Sequence, residues 1–471
     1  VNDLADGGMV AQDALTTGEL PTIYYGGFKK GYHAQTPDDN WTHVDVGSVA
    51  SRLKKAGVPE KLGPGQSGEI IDDHILKIQN GKAVSYASKF SGRLSGLIEA
   101  PGRTLLATED YPEVEPQEGD WSAIRRVLDS VSESPSGSGQ ETAEHRDRLL
   151  LFAQSAVLGL HQALCSDLIT QSVALVLVGS AGSGKSVWQY ILGRSLGSAG
   201  MGGSLKSAAK SDSGFSGELV PHAHLYMGDA DMEGDKKRVN RMTGLVKELV
   251  ANEEMNVHFK GDTPFDMPLF RRISMSLNMD VDSLLGLPIL NEGNRDKFVI
   301  INTGASRLDD DGLVKETRKP LIDEQIPAFV WYLINEYQCS NPSLIDPRFG
   351  QTKYITPSFN RQVLEGEDCF GLVEWMIEQA DQGNFDGPGD QKVETVSDLV
   401  QKTSRKQLKL ATNVWMQRVM GDDSVPGWVG SRNLIRKMSD LTRFFEQYSH
   451  SFPDKLYREK GMSKRWVLVL G

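Results

Sequence analysis

The period of apolar positions changes along the chain, and the changes mark out elements. Residues 22–25 and 41–46 are strand-length blocks with aromatic and β-branched side chains, and 103–108 reads as another strand. Residues 49–56 repeat apolar positions at the helical period and stop at Gly57 and Pro59. Residues 143–166 alternate apolar and charged positions as an amphipathic helix does, then feed the unbroken apolar run 173–178, bounded by glycine. That predicts a helix leading into a buried strand. A helical stretch follows at 187–196, then the apolar 225–227 within 222–231, and an amphipathic helix at 240–252 with Leu245, Leu249 and Val250 on one face. Residues 256–268 hold two short extended pieces around Lys260-Gly261-Asp262, a hairpin in outline, and 271–278 is a strand ending in Asn278. Strands alternating with helices place the chain in the α/β class.

Two stretches break the periodicity. Residues 130–140 (SVSESPSGSGQ) and 380–391 (ADQGNFDGPGDQ) lack an apolar repeat and read as flexible linkers. They divide the chain into an α/β domain at 1–130, a core at 141–310 with a helical lead-in, a helical extension at 311–380 and a basic domain at 392–471. A third tract rich in Gly, Ser and Ala, 195–217, lies inside the core and reads as a long loop. Residues 109–120, acidic and punctuated by proline, read as a solvated connection. Trp331, Tyr332, Leu333, Trp375 and Met376 read as core rather than as a base-stacking platform.

Composition narrows the class. Of 471 residues, 39% are hydrophobic and 24% charged, which excludes a disordered, collagen-like or coiled-coil chain. The three cysteines, Cys165, Cys339 and Cys369, are far apart with no CxxC pair, so neither a disulfide framework nor a cysteine zinc site is supported, and a reducing, cytoplasmic location is expected. The longest apolar stretch, 172–178, is strand-sized and far short of the ~20 residues that span a bilayer, so no membrane partner is expected. Residues 1–18 lack the apolar segment of a signal peptide, and the absent initial Met suggests a trimmed or internal start with an upstream domain left open. The net charge is −12, but from Lys402 onward fourteen basic residues face six acidic ones, so the tail carries +8 and the rest −20. A basic module is attached to an acidic body.

The chemistry concentrates at Gly179-Ser180-Ala181-Gly182-Ser183-Gly184-Lys185-Ser186, which fits G-x-x-x-x-G-K-[ST] at every position, with a strand entering and a helix beginning at Val187. Glycines let the backbone wrap phosphates, N–H groups at the helix N-terminus supply positive potential, Lys185 reaches the β- and γ-phosphates, and Ser186 ligates magnesium. The expected ligands are therefore ATP and Mg²⁺. Such a loop needs an acid on a neighbouring strand, and Asp229, directly after the apolar 225–227, is the magnesium candidate. Asp231, Glu233 or neither is the general base, since Ala230 follows Asp229.

The order of P-loop, acidic strand, helix, hairpin and strand with Asn resembles the superfamily 3 helicases, AAA+ proteins of viral, phage and plasmid replication, and more narrowly their phage and poxvirus primase-helicase branch. The residues that carry the resemblance are GSAGSGKS at 179–186, HLYMGDAD at 224–231, LVKELVANEEMNVHFKGDTPFDMPLFRRISMSLN at 245–278 and NRDKFVIINT at 294–303. Similarity extends through 91–121 and 346–357, most of the chain. The resemblance implies an AAA+ P-loop core at 141–310 and a hexamer with nucleotide at the subunit interfaces. Asn278 would sense the attacking water or γ-phosphate, and Lys260, with His258, would line a central pore and grip DNA. Arg295 would be the arginine finger for a neighbouring subunit, with Lys297 and Lys247 as further cations offered in trans and Arg271 or Arg272 as alternative fingers. The plain alternatives are a solvated turn lysine, a packing histidine and a surface ion pair. Many members carry two adjacent acids where this chain has Asp229-Ala230-Asp231.

In the tail, the basic amphipathic stretch 434–448 and a terminal strand at 463–470 resemble the branch's C-terminal winged helix, with Arg432, Arg436, Lys437, Lys464 and Arg465 as DNA contacts, or else as a basic face docked on the acidic body. The function expected is an ATP-dependent DNA helicase or translocase threading a strand through a ring, with a primase or polymerase as a further partner. A P-loop switch or assembly ATPase, and an ATP-bound initiator scaffold that binds DNA without unwinding it, are the competing classes.

Overall fold

A computed structural model describes residues 20–26, 31–60, 70–205, 216–228, 236–259, 263–278, 295–304, 315–357, 456–458 and 466–468, with backbone alone at 236–243, 295, 315–316 and beyond 357. The chain divides into two compact units, Val1–Tyr354 and Ile355–Gly471.

The first unit opens with β1 (Ile23–Gly26), β2 (Gly31–Gln35), β3 (Trp41–Val44), α1 (Val46–Lys55), α2 (Ile70–Gly81) and β4 (Ala83–Val84), which form a four-stranded sheet in the order β3-β2-β1-β4. Ile23 and Ala34 pair across β1 and β2 and point to the same face, where Val49, Leu53, Ile71 and Ile75 of the helices close a small core. Asp45 caps α1 by accepting from Ser48 N at 2.7 Å. A second sheet follows, β5 (Tyr86–Ser88), β6 (Gly96–Ala100) and β7 (Arg103–Ala107), in the order β5-β7-β6.

Helices α3 (Ser122–Ser132) and α4 (Gly139–Ser166) lead into the main sheet. The turn between them was expected to be a flexible linker and is not one. Ser130, Ser132 and Ser134 are buried, Ser138 caps α4 by accepting from Glu141 N, and the Glu141 carboxylate accepts from Ser134 and Ser136 at 2.8 and 2.7 Å. Linker-like composition here is capping chemistry: serines and a glutamate satisfy one another and the helix end. Residues 109–120 are mostly exposed but tied down at two points. Tyr111 is 3% exposed, donates to Leu196 O and accepts from Ala223 N, both at 3.1 Å, and Gln117 N donates to Pro327 O at 3.2 Å. The segment is a largely exposed connection, as expected, pinned to the core at Tyr111 and Gln117.

The main sheet is parallel through β8 (Ala174–Val178), β9 (Gly203–Ser204), β10 (His224–Met227), β13 (Arg272–Leu277) and β14 (Phe298–Asn302), in the order β14-β8-β13-β10-β9, with the short strand Tyr354–Ile355, where the first unit ends, along its outer edge. Every residue of β8, β13 and β14 is buried, as expected of strands covered on both faces. The covering helices are α5 (Lys185–Ser195), α6 (Lys236–Ala251) and α7 (Lys315–Asn335). Trp188 of α5, wholly buried, meets Phe329 of α7 edge-on at 6.0 Å, and Trp121 packs on Phe329 and on Tyr332 at 4.4 Å, so Tyr332 is structural as expected. The hairpin expected at 256–268 is β11 (Glu254–Val257) paired antiparallel with β12 (Phe265–Pro268). In the second unit, β15 (Leu456–Arg458) pairs antiparallel with β16 (Trp466–Leu468), so a strand does lie within 463–470. The expected helix at 434–448, the linker at 380–391, Trp375 and Met376 lie outside the described residues.

Candidate active site

Parallel strands bring their carboxyl ends to one edge of the sheet, and that edge is where an α/β fold places its ligands. Here β8 runs into Gly179, β10 into Gly228, β13 into Asn278 and β14 into Thr303. The loop 179–184 needs its glycines for two different reasons. Gly182 and Gly184 adopt φ of 89° and 91°, a region that side chains with a Cβ avoid. At Gly179 the need is space, because a Cβ there would lie 1.9 Å from Thr303 Oγ1.

The loop turns directly into α5, whose first residue is Lys185, so the helix N-terminus faces the loop's hollow. Lys185 Nζ donates to the carbonyls of Gly179 and Ser180 at 2.8 and 2.7 Å and lies 3.4 Å from Asn278 Oδ1 and from Ser183 Oγ. Ser183, fully buried, bonds Thr303 Oγ1 at 3.0 Å, and its carbonyl accepts from Ser130 at 3.2 Å. The hollow is a cleft of about 630 Å³ bordered by residues 181–187, Ser276, Asn278 and Arg318. Glycines at left-handed φ, a helix N-terminus, a lysine and a nearby hydroxyl at Ser186 form a donor set that fits a nucleotide triphosphate and its magnesium. When bound, Mg²⁺ would neutralise phosphate charge; Ser186 is the described residue of the donor set that would ligate it.

Gln189 ties β10 to this loop. Its amide donates to Met227 O and to Ser274 Oγ, both at 3.1 Å, joining α5 to the end of β10 and the middle of β13. Ser274 in turn donates to His224 Nε2 at 2.8 Å, while His224 Nδ1 donates to Met201 O. His224 is wholly buried, and that desolvation pushes its pKa down to about 4, so the ring is a neutral strut.

Of the residues expected at the site, Gly179 through Val187 and Asn278 converge here. Asp229, Asp231 and Lys260 lie outside the described residues, as do Arg432, Arg436, Lys437, Lys464 and Arg465. Only the backbone of Arg295 is described, in the turn Arg295–Lys297 before β14. His258 sits at the end of β11, its N–H donating to Ser216 Oγ at 3.0 Å.

Three expected cations are spent elsewhere. Arg271 is 6% exposed and donates to the carbonyls of Leu249, Asn252 and Glu254 at 2.8, 2.6 and 3.0 Å, capping α6 and the turn after it. Arg272 is 2% exposed and clamps Thr170 through its carbonyl and hydroxyl at 2.9 and 2.7 Å. Burial lowers their pKa values to about 10 and about 9, leaving both charged near neutral pH but unable to reach a neighbouring subunit. Lys297 is 8% exposed, pairs with Asp296 at 2.9 Å and lies over the Phe349 ring, so it is no cation offered outward. Lys247 is exposed.

Sequence reasoning missed Gln189, Thr303 and Arg318. A glutamine inside the apolar helix 187–196 was a visible signal; Thr303 and Arg318 carried none, since their roles exist only once the strand ends meet.

The hairpin is footed on the N-terminal sheet. Phe259 stacks on Tyr86 with centroids 3.5 Å apart and planes 14° from parallel, and Arg103 donates to Thr263 O at 3.0 Å while lying over the Phe265 ring at 4.7 Å.

No protein-family model and no curated protein matches the sequence. Among solved structures, the A form apo structure of the NrS-1 C-terminal region superposes with a TM-score of 0.50 at 10% identity, covering 96% of this chain and 97% of that one. A second apo structure of that region gives 0.49 at 11% identity over 96% of each chain, and a crystal structure of JCV helicase with a thiazolopyridine acetamide bound gives 0.26 at 14% identity over 45% of this chain and 53% of that. The chain is thus a mixed α/β protein with a parallel sheet and shares its fold with the NrS-1 C-terminal region.

Proposed function

We propose that this chain is an ATP-dependent DNA helicase or translocase of superfamily 3, with an AAA+ core at 141–310, a helical extension at 311–380, a winged-helix-like basic domain at 392–471 and an α/β domain at 1–130, working as a hexamer in the cytoplasm. One observation carries the reading: Asn278, at the end of the strand beside the P-loop strand, stands 3.4 Å from Lys185 in the cleft that the P-loop borders. A plain binding loop needs no such amide, whereas hydrolysis needs a group that orients water against the terminal phosphate.

In this mechanism Lys185 would leave its own loop carbonyls for the β- and γ-phosphates, and Ser186 and Asp229 would hold magnesium, which would neutralise phosphate charge. Asn278 orients water, and Asp231 is a candidate proton acceptor. Arg295 of one subunit answers charge on the γ-phosphate held by the next. Turnover shifts the hairpin bearing His258 and Lys260, which moves a DNA strand, while Arg432, Arg436, Lys437, Lys464 and Arg465 hold duplex phosphates. That binding is sequence-independent and weakens steeply with salt. A primase or polymerase is the partner such a motor would serve.

The deciding experiment is steady-state ATPase activity of the purified chain with and without single-stranded DNA, beside Lys185→Ala, with light scattering on the same sample. DNA-stimulated turnover in a ring-sized oligomer is expected. Nucleotide binding without stimulated turnover would instead favour the switch or scaffold.

A further inference from the structure

We propose that Ser130 and Thr303 are positioning residues for the nucleotide: from outside the P-loop they fix Ser183, so that a loop N–H and Lys185 are aimed at phosphate before it binds. The inference rests on reading 179–186 as a nucleotide-binding loop and is independent of hydrolysis, DNA and ring formation.

A triangle of hydrogen bonds holds the loop from behind. Ser130, near the end of α3 and 3% exposed, donates to Ser183 O at 3.2 Å. Thr303, directly after β14 and also 3% exposed, donates from Oγ1 to Ser183 Oγ at 3.0 Å. Gly304 N donates to Glu133 O at 2.7 Å, which joins the end of β14 to the C-cap residue of α3 and closes the figure. Thr303 N also donates to Val178 O at 2.6 Å, keeping it against the strand that enters the loop. Neither Ser130 nor Thr303 borders the cleft, so each acts on phosphate through Ser183.

The two hydroxyls do different things to Ser183. A peptide group is planar and trans, so its C=O and N–H point in opposite directions. With the Ser183 carbonyl drawn outward to Ser130, the Gly184 N–H of the same peptide turns the other way, and Gly184 borders the cleft. The Ser183 hydroxyl has three staggered positions to choose from, and Thr303 holds it in the one that stands 3.4 Å from Lys185 Nζ. Ser183 is wholly buried, so bulk water does not replace either partner. A loop ordered in advance binds more tightly because less ordering is left to the binding step.

The division of labour is readable in the ligand. Backbone N–H groups of such a loop serve the α- and β-phosphates, whereas its lysine reaches the β- and γ-phosphates. Loss of the Ser130 hydroxyl therefore weakens ADP and ATP alike, and loss of the Thr303 hydroxyl weakens ATP more than ADP.

The test is calorimetric titration of the full chain with ATP and with ADP in the presence of Mg²⁺. Ser130→Ala is expected to raise both Kd values about three- to tenfold, the range for one neutral hydrogen bond. Thr303→Ala and Thr303→Ser both lack the methyl group and differ by the hydroxyl alone. The alanine variant is expected to bind ATP about three- to tenfold more weakly than the serine variant, with a smaller difference for ADP. In a Ser183→Ala background the two Thr303 variants should bind alike, while Ser130→Ala keeps its effect because the carbonyl remains. An unchanged Kd in Ser130→Ala would overturn the assignment. So would a Thr303 hydroxyl that makes no difference beside Ser183, that still makes one without it, or that acts equally on ATP and ADP. The compared variants are expected to unfold at the same temperature without nucleotide; Kd changes that only track lower unfolding temperatures would reduce both hydroxyls to packing contacts and overturn it as well. Failure of the unsubstituted chain to bind either nucleotide would overturn the nucleotide reading itself, whereas tight binding by every variant would overturn the positioning role alone.

Discussion

Lys185 Nζ and Asn278 Oδ1 lie 3.4 Å apart, 93 residues distant in sequence, because β8 and β13 run side by side in register from Ala174 and Ile273 to Val178 and Leu277. The lysine is held by its own loop, within reach of both the phosphate hollow and the amide that would monitor it.

Lys185→Ala is expected to abolish hydrolysis, and Asn278→Ala to lower kcat by about 10²–10³ while leaving nucleotide affinity nearly unchanged, as for loss of one group acting on the transition state. Paired turnover and nucleotide-binding titrations check this; an Asn278→Ala enzyme with full kcat would remove the sensor role.

Arg318, on the first turns of α7 at the cleft's edge, is expected to act on ground-state affinity. Arg318→Ala should weaken nucleotide binding roughly ten- to a hundredfold, the range for one charge-assisted hydrogen bond. Titration with a fluorescent nucleotide reads this directly, and an unchanged Kd would place Arg318 outside the site's chemistry.

Arg295→Ala should lose about 10³–10⁵ in rate if it serves a neighbour's phosphate. Mixing it with Lys185→Ala should restore part of the activity, because some interfaces then combine an intact loop with an intact finger. No recovery on mixing would argue against action between subunits.

Lys260→Ala should keep basal hydrolysis but lose DNA stimulation and strand displacement. Unwinding that survives the substitution would remove this lysine from the pore.

Acid should destabilise the fold through His224. Its folded pKa of about 4 lies below the unfolded value of ~6.5, so the unfolded chain gains a proton first. Stability from this residue is complete above about pH 6.5 and falls by roughly 3 kcal/mol as the pH drops towards 4. His145, buried and likewise lowered by desolvation, adds in the same direction. Urea midpoints at neutral and mildly acidic pH measure the slope, which His224→Gln should flatten.

Much of this site could be read from the chain because eight consecutive residues encode both the loop's backbone and its charge. The strands and helices around it were legible for a similar reason: β8, α5 and α6 each carry their period within one segment. What escaped was contact across distance. Thr303 meets Ser183 from 120 residues away, and nothing near either residue announces it. Ser134, Ser136 and Glu141 looked like linker composition because caps and linkers use the same polar residues, and only the geometry separates them. Arg271 and Arg272 were misread since a buried arginine satisfied by carbonyls has no distinct sequence signature.

The stack of Phe259 on Tyr86 sets a lower limit on how far the chain can be trimmed. A shortened protein starting at α4, a natural cut for a minimal ATPase, would keep every phosphate-binding residue yet lose Tyr86, Arg103 and Trp121 at once. Its hairpin would stand without a floor and α7 without its aromatic backing. Under the proposed function, such a fragment should bind nucleotide but lose DNA-stimulated turnover, and a fragment beginning upstream of β5 should keep it.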